Sequence, residues 1–195
     1  GLNKIISSSN IDTKIIHISS DYVFNGEKGE YDEAQATYPV NYYGKSKLES
    51  ENILIGSNRR HIIFRLSTLF DNSNKNFFTW VLNNLKNNQE IIVAKDMINT
   101  PTWVPSFSNA IMKSVHLDLS GLFHYGTDNP ISRLDFAKLI ADKFSLNKNL
   151  IIARSVNEIN FAAKRPKNTS LISKKLSRQI EVDLDNIDYV LKILS

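Results

Sequence analysis

Tyr43 and Lys47 are the residues whose types and spacing are most suited to chemistry in this sequence. Positions four apart in a helix share a face, so the phenol and the ammonium would point the same way. An ammonium beside a phenol favours the phenolate and lowers a pKa that is about 10 in an unperturbed phenol. Such a phenol can exchange a proton near neutral pH, and Ser20 could hydrogen-bond the same substrate oxygen. The same spacing also fits an ordinary solvated helix face, so the pair alone leaves both interpretations open.

The elements that must position these side chains are indicated by two apolar runs and the segment between them. Residues 14–18 (KIIHI) and 61–66 (HIIFRL) read as buried strands, and residues 41–55 read as a helix. A strand, a helix and a strand within about 50 residues predict a right-handed parallel βαβ unit. Ser20 lies just beyond the first strand, so its hydroxyl is expected at the carboxyl end of that strand.

The rest of the chain reads as short strands and amphipathic helices joined by polar loops. Ser106 and Ser132 are expected to cap the starts of two of these helices. The predicted helices cover residues 76–87, 106–117, 132–144, 173–178 and 183–194, and the predicted strands cover residues 91–94, 122–125 and 150–153.

Composition is that of an ordinary globular protein: of the 195 residues, 42% are hydrophobic and 23% are charged. One domain or two small ones is expected at this length. No apolar run approaches the roughly 20 residues of a membrane span, and no signal peptide is visible. The absence of cysteine excludes disulfides and thiolate metal sites and fits a reducing compartment, so a cytoplasmic location is expected.

The net charge, the distribution of basic residues and the histidine spacing together indicate which ligands to expect. A formal net charge of +4 suits a ligand such as a nucleoside diphosphate. The Lys and Arg residues are scattered and form no basic, aromatic stripe, so no nucleic-acid partner is expected. No metal site is expected either, because the histidines show no ligand spacing: they are His17, His61, His116 and His124.

The stretch from His17 to Glu51 resembles the active-site segment of the extended short-chain dehydrogenase/reductases that act on nucleotide sugars. It is most similar to the dTDP-4-dehydrorhamnose reductase group, whose pattern is close to STDYVF-x-G, then Tyr-x-Glu, then P-x-N-x-YG-[KR]-[ST]-K-L-x-x-E. The residues of this sequence that match are Ser19, Ser20, Asp21, Tyr22, Val23, Phe24, Gly26, Tyr31, Glu33, Pro39, Asn41, Tyr43, Gly44, Lys45, Ser46, Lys47, Leu48 and Glu51.

The resemblance continues along most of the chain and implies a fold. Further matches are the Arg-x-Ser of residues 65–67, the Thr-Pro-Thr of 100–102 and the Arg-Pro-x-Asn of 165–168. It implies an α/β fold: the C-terminal part of a Rossmann-like doubly wound parallel sheet plus a small α/β substrate-binding domain. Residues 1–70, with 101–125 returning to them, are expected in the NAD(P)-binding domain. Residues 71–100 and 126–195 are expected in the substrate-binding domain.

The resemblance also implies NAD(P)H-dependent reduction of a nucleotide-linked 4-keto sugar, as in dTDP-rhamnose biosynthesis, with a role for each matching residue. Ser20, Tyr43 and Lys47 are the implied catalytic residues; Tyr43 and Lys47 would also contact the cofactor. Further implied cofactor contacts are Ser19, Arg65 and Ser67, and the implied substrate contacts are Asp21, Phe24, Asn76, Thr102 and Arg165.

Two departures from the family pattern affect the cofactor and the sugar. The glycines form no G-x-G-x-x-G turn for a pyrophosphate. The resemblance implies that the residues that distinguish NADPH from NADH also lie in the missing part of the fold, so both cofactors stay open. We expect a chain truncated or split within the nucleotide-binding fold and inactive alone, because the matching active-site residues are so fully preserved; proteolysis and a natural half-length protein are the competing explanations. Thr68 stands where the family usually has Trp, and Asp71 stands where it has Gly, which leaves the sugar undetermined.

Alternative functions and partners stay open at this point. One alternative is an epimerase or dehydratase of the same superfamily, and another is a non-catalytic regulatory or binding subunit on the same scaffold. An apolar strand at residues 14–18 without a neighbour would be an open sheet edge. We therefore expect a homo-oligomer, or a second polypeptide that supplies the remaining half of the nucleotide-binding fold.

Overall fold

Residues 1–73 and 75–195 are described by a computed structural model of the chain. The helices are α1 (Leu2–Ser8), α2 (Tyr42–Gly56), α3 (Phe77–Lys86), α4 (Val104–His116), α5 (Arg133–Lys143), α6 (Lys174–Ile180) and α7 (Ile187–Leu194). The strands are β1 (Ile15–Ser20), β2 (His61–Leu66), β3 (Leu69–Phe70), β4 (Ile91–Ala94), β5 (Ile98–Asn99), β6 (Thr102–Trp103), β7 (Gly121–Tyr125), β8 (Ile131–Ser132) and β9 (Ile151–Arg154). No helix in the described part has the length and apolar character required to cross a membrane.

A parallel sheet of β1, β2 and β7, in that order, forms the centre of the chain, with Ile15 opposite His61. Side chains alternate between the two faces of a strand, so each strand contributes to two hydrophobic layers. Ile63 packs with α1 and α2 on one face. Ile62 and Phe64 pack with α4 and α6 on the other. This arrangement confirms the predicted parallel strand-helix-strand unit and the α/β class.

A second hydrophobic core lies between the parallel pair β4–β9 and helices α3, α5 and α7. Phe70 and Phe136 meet there edge to face, with ring centroids 5.4 Å apart. Each helix turns one apolar stripe toward this core because its apolar residues recur at three- and four-residue spacing. Helix α6 instead packs against β7 of the central sheet, although residues 126–195 are predicted to belong to the substrate-binding domain.

Two helices begin at residues other than those predicted. Helix α4 begins at Val104, two residues before the expected cap Ser106, because Pro105 fits the first turn, where no backbone N–H partner is required. Helix α7 begins at Ile187 rather than near residue 183, because the side chain of Asn186 accepts a backbone N–H of the first turn and so caps the helix.

The two outer edges of the central sheet are covered differently. On β7, the backbone N–H of His124 donates to the Glu33 carboxylate (2.9 Å), and the Lys175 ammonium donates to the Leu122 carbonyl (2.7 Å). On β1, no strand among residues 1–73 and 75–195 pairs with the outer edge, where Ile16 is partly exposed. Strand β1 is therefore an open edge in this chain.

Candidate active site

The carboxyl end of β1 meets the start of α2 at Tyr22 and Tyr43. Their rings contact edge to face, with centroids 5.8 Å apart and planes at 81°. Gly44 permits this approach, because a Cβ at that position would lie 2.1 Å from the Tyr22 carbonyl oxygen. Asn41 begins the helix by accepting the Gly44 N–H at 2.8 Å. Tyr43 remains 51% exposed and is therefore accessible to a ligand.

Lys47 lies one helical turn after Tyr43 and points back toward β1. Its ammonium donates to the Ile18 carbonyl at 3.0 Å and lies 5.8 Å from the centre of the Tyr43 ring. The ammonium is thus directed at the end of the strand rather than at bulk solvent. Ser20 is the last residue of the same strand. The structure therefore brings the three predicted catalytic residues to one corner of the sheet.

Asp21 is a buried acceptor for three hydroxyl groups. Ser20 donates to Oδ1 at 2.9 Å, while Ser67 and Thr169 donate to Oδ2 at 2.9 and 2.5 Å. Burial raises the pKa of the Asp21 carboxyl, and the hydrogen bonds from Thr169, Ser67 and Ser20 oppose that rise. Because Asp21 is only 3% exposed and its oxygens are occupied, its contacts argue against the predicted direct contact with substrate.

Glu51 and Arg65 form a buried ion pair beside this corner. The Arg65 Nη2 donates to Glu51 Oε2 at 2.6 Å, and Nε donates to Oε1 at 3.0 Å. The Ser19 hydroxyl donates to the same carboxylate. Ser19 and Arg65 are predicted cofactor contacts, but the bonds described here direct both toward Glu51.

A cleft of about 360 Å³ opens next to Tyr22, with aromatic walls and two guanidinium groups, those of Arg133 and Arg165. Arg165 lies on its rim, with its guanidinium carbon 5.7 Å from the Tyr22 ring centre and 5.4 Å from that of Phe161. Its Nη1 also donates to the Tyr22 hydroxyl at 3.3 Å. The predicted substrate residue Arg165 is thus adjacent to the corner where Tyr22 meets Tyr43. Burial raises the pKa of Tyr22.

The C-terminal strap, residues 164–172, holds Arg165 in this position. The Asn41 side chain donates to the Lys164 carbonyl at 2.9 Å, and the Asn168 N–H donates to the Gly26 carbonyl at 2.9 Å. The strap therefore joins the two halves of the sequence next to Arg165.

Besides Asp21, three further predicted substrate residues do not line the cleft. Phe24 is fully buried and stacks on Tyr31, with ring centroids 4.1 Å apart. Thr102 is also fully buried and donates to the Tyr125 carbonyl at 3.1 Å. Asn76 caps α3. Since Phe24 and Thr102 have no exposed surface, the structure argues against the predicted substrate contact for both.

The buried His124 is a packing residue rather than a metal ligand. A nitrogen of its ring, Nδ1, donates to the Tyr31 carbonyl at 3.0 Å, and burial lowers the pKa of this imidazole to about 3. Across residues 1–73 and 75–195 no group of three or more His, Cys, Asp or Glu side chains could hold a metal ion.

The arrangement fits the nicotinamide end of a dinucleotide better than its phosphates. Tyr43 is exposed and Lys47 is partly buried, and both lie beside the open edge of β1, so both are accessible to a ring and a ribose. No helix of the described part is preceded by a glycine-rich turn, the structure that binds a pyrophosphate. Tyr43 and Lys47 are therefore the residues that could hold such a cofactor.

Sequence reasoning missed Arg133 and Thr169. Arg133 is the first residue of a helix and carries no motif, so nothing local indicates that its side chain lines a cleft. Thr169 contacts Asp21 across 148 positions of the chain, a pairing that no periodicity reveals.

Comparison with known proteins agrees with this geometry. A family profile described as the RmlD substrate binding domain matches residues 6–193. The dTDP-4-dehydrorhamnose reductases of Sinorhizobium fredii and Aggregatibacter actinomycetemcomitans are each 31% identical to the chain, over 92% and 91% of its length. The chain spans only 64% and 65% of those two proteins.

Solved structures show the same likeness. A dTDP-4-dehydrorhamnose reductase from Bacillus anthracis in complex with NADP superimposes with a TM-score of 0.91 at 29% identity, covering 98% of this chain and 68% of that one. A hypothetical dTDP-4-dehydrorhamnose reductase from Sulfolobus tokodaii gives 0.83 at 32% identity, covering 96% and 66%. With a profile match over nearly its whole length, the chain belongs to the RmlD substrate binding domain family.

Proposed function

We propose that this chain forms the catalytic corner and substrate cleft of an NAD(P)H-dependent reductase of a nucleotide-linked 4-keto sugar, like the dTDP-4-dehydrorhamnose reductases. The observation that carries the proposal is the convergence of Tyr43, Lys47 and the β1 end at Ser20 beside a cleft lined by Tyr22 and Arg165. The proposal concerns the activity of the complete protein. This chain spans about two thirds of the length of its relatives.

In the proposed mechanism, Tyr43 gives its phenolic proton to the oxygen at C4 of the sugar as that oxygen gains negative charge. The Lys47 ammonium, 5.8 Å from the ring, stabilises the tyrosinate that remains. The bound cofactor supplies the hydride. In the structure Ser20 donates to Asp21 Oδ1, so its hydroxyl must rotate to orient the sugar carbonyl, while Ser67 and Thr169 keep donating to Asp21 Oδ2.

Cofactor binding is proposed at Tyr43 and Lys47, with NADPH or NADH as the reductant. Ser67 is retained as a cofactor-side candidate at the end of β2, although its hydroxyl is bonded to Asp21. A cytoplasmic location stays a prediction, and a chain without cysteine is compatible with it.

The nucleotide of the substrate is proposed to lie along the cleft rim. Arg165 offers a guanidinium to a diphosphate, and Tyr22 and Phe161 offer ring faces to sugar or base. Residues 71–100 and most of 126–195 would form the substrate-binding domain, with α6 returning to the central sheet, which it contacts.

A partner is proposed at the open edge of β1. The backbone of this strand pairs with β2 on one side only, and an unpaired strand edge is a template for another strand. A second polypeptide that adds strands at this edge would complete the nucleotide-binding fold; a second copy of this chain is the other candidate occupant.

The experiment assays the chain alone and together with the N-terminal third of a relative, supplied as a separate polypeptide. With the added segment, NADPH should be oxidised in proportion to a dTDP-linked 4-keto sugar; the chain alone should be inactive. Sugar conversion without net oxidation of the cofactor would favour the epimerase or dehydratase alternative. Binding of both ligands without conversion of either would favour the regulatory subunit.

A further inference from the structure

Arg133 is a cation in the cleft that no carboxylate in the described part of the chain neutralises. Its Nη2 donates to the Thr68 hydroxyl, and its guanidinium carbon lies 4.4 Å from the centre of the Phe77 ring. Among residues 1–73 and 75–195, no carboxylate lies within ion-pair distance of it. Partly buried charges are normally paired, so an unpaired guanidinium in a cleft indicates a missing anion.

The nearest acid does not supply that anion. Asp21 acts on Arg133 only through its field, and its two oxygens already accept three hydroxyl groups. Burial favours the neutral form of the Asp21 carboxyl by raising its pKa. Burial of Arg133 itself lowers the pKa of its guanidinium, because the charged form is kept out of water without a carboxylate partner among the described residues.

Thr68 fixes where the guanidinium points. Its hydroxyl accepts from Arg133 and also from the Asn99 side chain, at 2.9 Å. The Phe77 ring covers one face of the guanidinium, and Thr68 is bonded to Nη2. Because Arg133 lines the cleft, its remaining N–H groups can bind a ligand there. Thr68 directly follows Ser67, which is bonded to Asp21 and through it to Ser20. The guanidinium also lies in the field of both Asp21 and Tyr22, so it is near the corner where Tyr22 meets Tyr43, as Arg165 is.

We propose that Arg133, held by Thr68 and Phe77, is a specificity-determining residue that binds an anionic oxygen group of the substrate. Two sources of that chemistry are a carboxylate on the sugar ring and the diphosphate of the nucleotide. The position near the corner where Tyr22 meets Tyr43 favours the carboxylate. The assignment of this cleft to a nucleotide sugar rests on the proposed function, but the anion site itself rests on the contacts of Arg133.

The test measures dissociation constants of the 195-residue chain by titration calorimetry for thymidine, dTDP, dTDP-glucose and dTDP-glucuronic acid. The last two differ in one carboxylate. Arg133→Leu should weaken the affected ligands roughly 10-fold or more, the range expected for a hydrogen-bonded charge. Loss confined to dTDP-glucuronic acid identifies the carboxylate as the source, whereas equal loss for dTDP and both sugars identifies the diphosphate.

Two further variants separate a site from general charge or misfolding. Thr68→Val keeps the cation but removes its anchor and should weaken the same ligands roughly 2- to 10-fold. Arg154→Leu removes an exposed guanidinium outside the cleft and should change affinity less than about 2-fold. Arg133→Lys should recover part of the affinity, because the charge returns without the planar fork.

The proposal is overturned if Arg133→Leu and Thr68→Val, each shown to be folded by circular dichroism, bind every ligand as the unchanged chain does. It is also overturned if none of the ligands binds. If instead Arg133-dependent binding is found but the completed protein reduces no 4-keto sugar, the proposed function fails while the anion site stands.

Discussion

At the scale of single residues, the buried Glu51–Arg65 ion pair positions the site by joining α2 to β2. Both side chains are at most 5% exposed, and Ser19 donates to the same carboxylate. A buried ion pair adds little net stability compared with a well-packed apolar pair, but the loss of one partner leaves the other charge unpaired in the interior. The pair therefore tethers α2, and with it Tyr43 and Lys47, to β2.

Glu51→Ala is expected to lower the free energy of unfolding by about 3–5 kcal/mol, because the Arg65 guanidinium would stay buried without a counter-charge. The measurement is chemical denaturation at neutral pH. Glu49→Ala, on a more exposed position of the same helix, is the control and should stay within about 0.5 kcal/mol. Equal effects of the two substitutions would contradict the role given to the pair.

His124 should make stability depend on pH. Its folded-state pKa is lowered to about 3 from an ordinary value of 6.5, so as the pH falls below 6.5 the unfolded chain takes up the proton first. Stability is therefore complete above pH 6.5 and declines toward pH 3, by up to about 1.4 kcal/mol per pH unit from this residue.

His124→Asn keeps a donor near the Tyr31 carbonyl but cannot take up the proton. It should be less stable at pH 7 because it leaves a cavity, yet its stability should fall less steeply between about pH 6.5 and 4. Denaturation midpoints across that range give the slopes. His116→Asn, at an exposed position, should retain the slope of the unchanged chain; a parallel slope in His124→Asn would refute the assignment.

The residues that sequence predicts best are those whose partners are close in the chain. Tyr43 and Lys47 meet because a helix places i and i+4 on one face. Asn41 caps that helix three residues before its partner. Arg133 and Thr169 were not predicted, since their contacts with Thr68 and Asp21 cross 65 and 148 positions. Phe24 and Thr102 were expected to contact the ligand because they match a motif, but a motif does not show burial, and neither side chain is exposed.

At the scale of elements, the placement of α2 depends on Gly44. The backbone of the helix touches the Tyr22 carbonyl at this position, and a Cβ would lie 2.1 Å from that oxygen. Backbone cannot yield as the end of a flexible side chain does. The geometry of Tyr43 beside Tyr22 is thus set by one residue without a side chain.

Gly44→Ala should lower the free energy of unfolding by roughly 1–3 kcal/mol through overpacking, despite the better helix propensity of alanine. Gly56→Ala is the matched control at the other end of the same helix, where a Cβ meets nothing within 4 Å. That variant should be neutral or more stable by up to about 1 kcal/mol. If Gly44→Ala were stabilising as well, the close contact with Tyr22 would not exist as described.

The elements were predictable where pattern and capping agree. The strand His61–Leu66 and the strand Ile91–Ala94 have the predicted bounds, because compact apolar runs have few other stable conformations in a core. Helix starts were less predictable, since a proline at 105 and a cap at Asn186 competed with equally plausible alternatives. The short pairs β3–β6 and β5–β8 were not predicted, because each strand is only two residues long and depends on distant partners.

At the scale of the whole molecule, the open edge of β1 is the feature with the largest consequence. Side chains of Glu33 and Lys175 satisfy backbone groups on the opposite edge, β7. The edge of β1 pairs with no strand in the described part of the chain: only the Ile18 carbonyl is described as accepting from a side chain, that of Lys47, and Ile16 is 37% exposed there. An uncovered parallel edge is a template for another strand.

The chain is therefore expected to self-associate at high concentration when no partner segment is present. Ile16→Lys should reduce that association, since a charge on an edge strand opposes further pairing. Sedimentation velocity over a concentration series measures the effect. Ile11→Lys, which charges an exposed loop position, should leave the association unchanged. A monomer at all concentrations, or equal effects of both changes, would contradict an edge-mediated contact.

The central claim is that Tyr43 donates the proton, and adjacent tyrosines allow it to be tested most directly. The chain, supplemented with the N-terminal segment of a relative and carrying Tyr43→Phe or Tyr42→Phe, is assayed for NADPH oxidation by a dTDP-linked 4-keto sugar. Tyr42 is the control, because it is 86% exposed and its ring makes no described contact at the site. We predict that Tyr43→Phe lowers kcat roughly 100-fold or more with little change in sugar binding, while Tyr42→Phe retains activity. Similar activity in both variants would contradict the account.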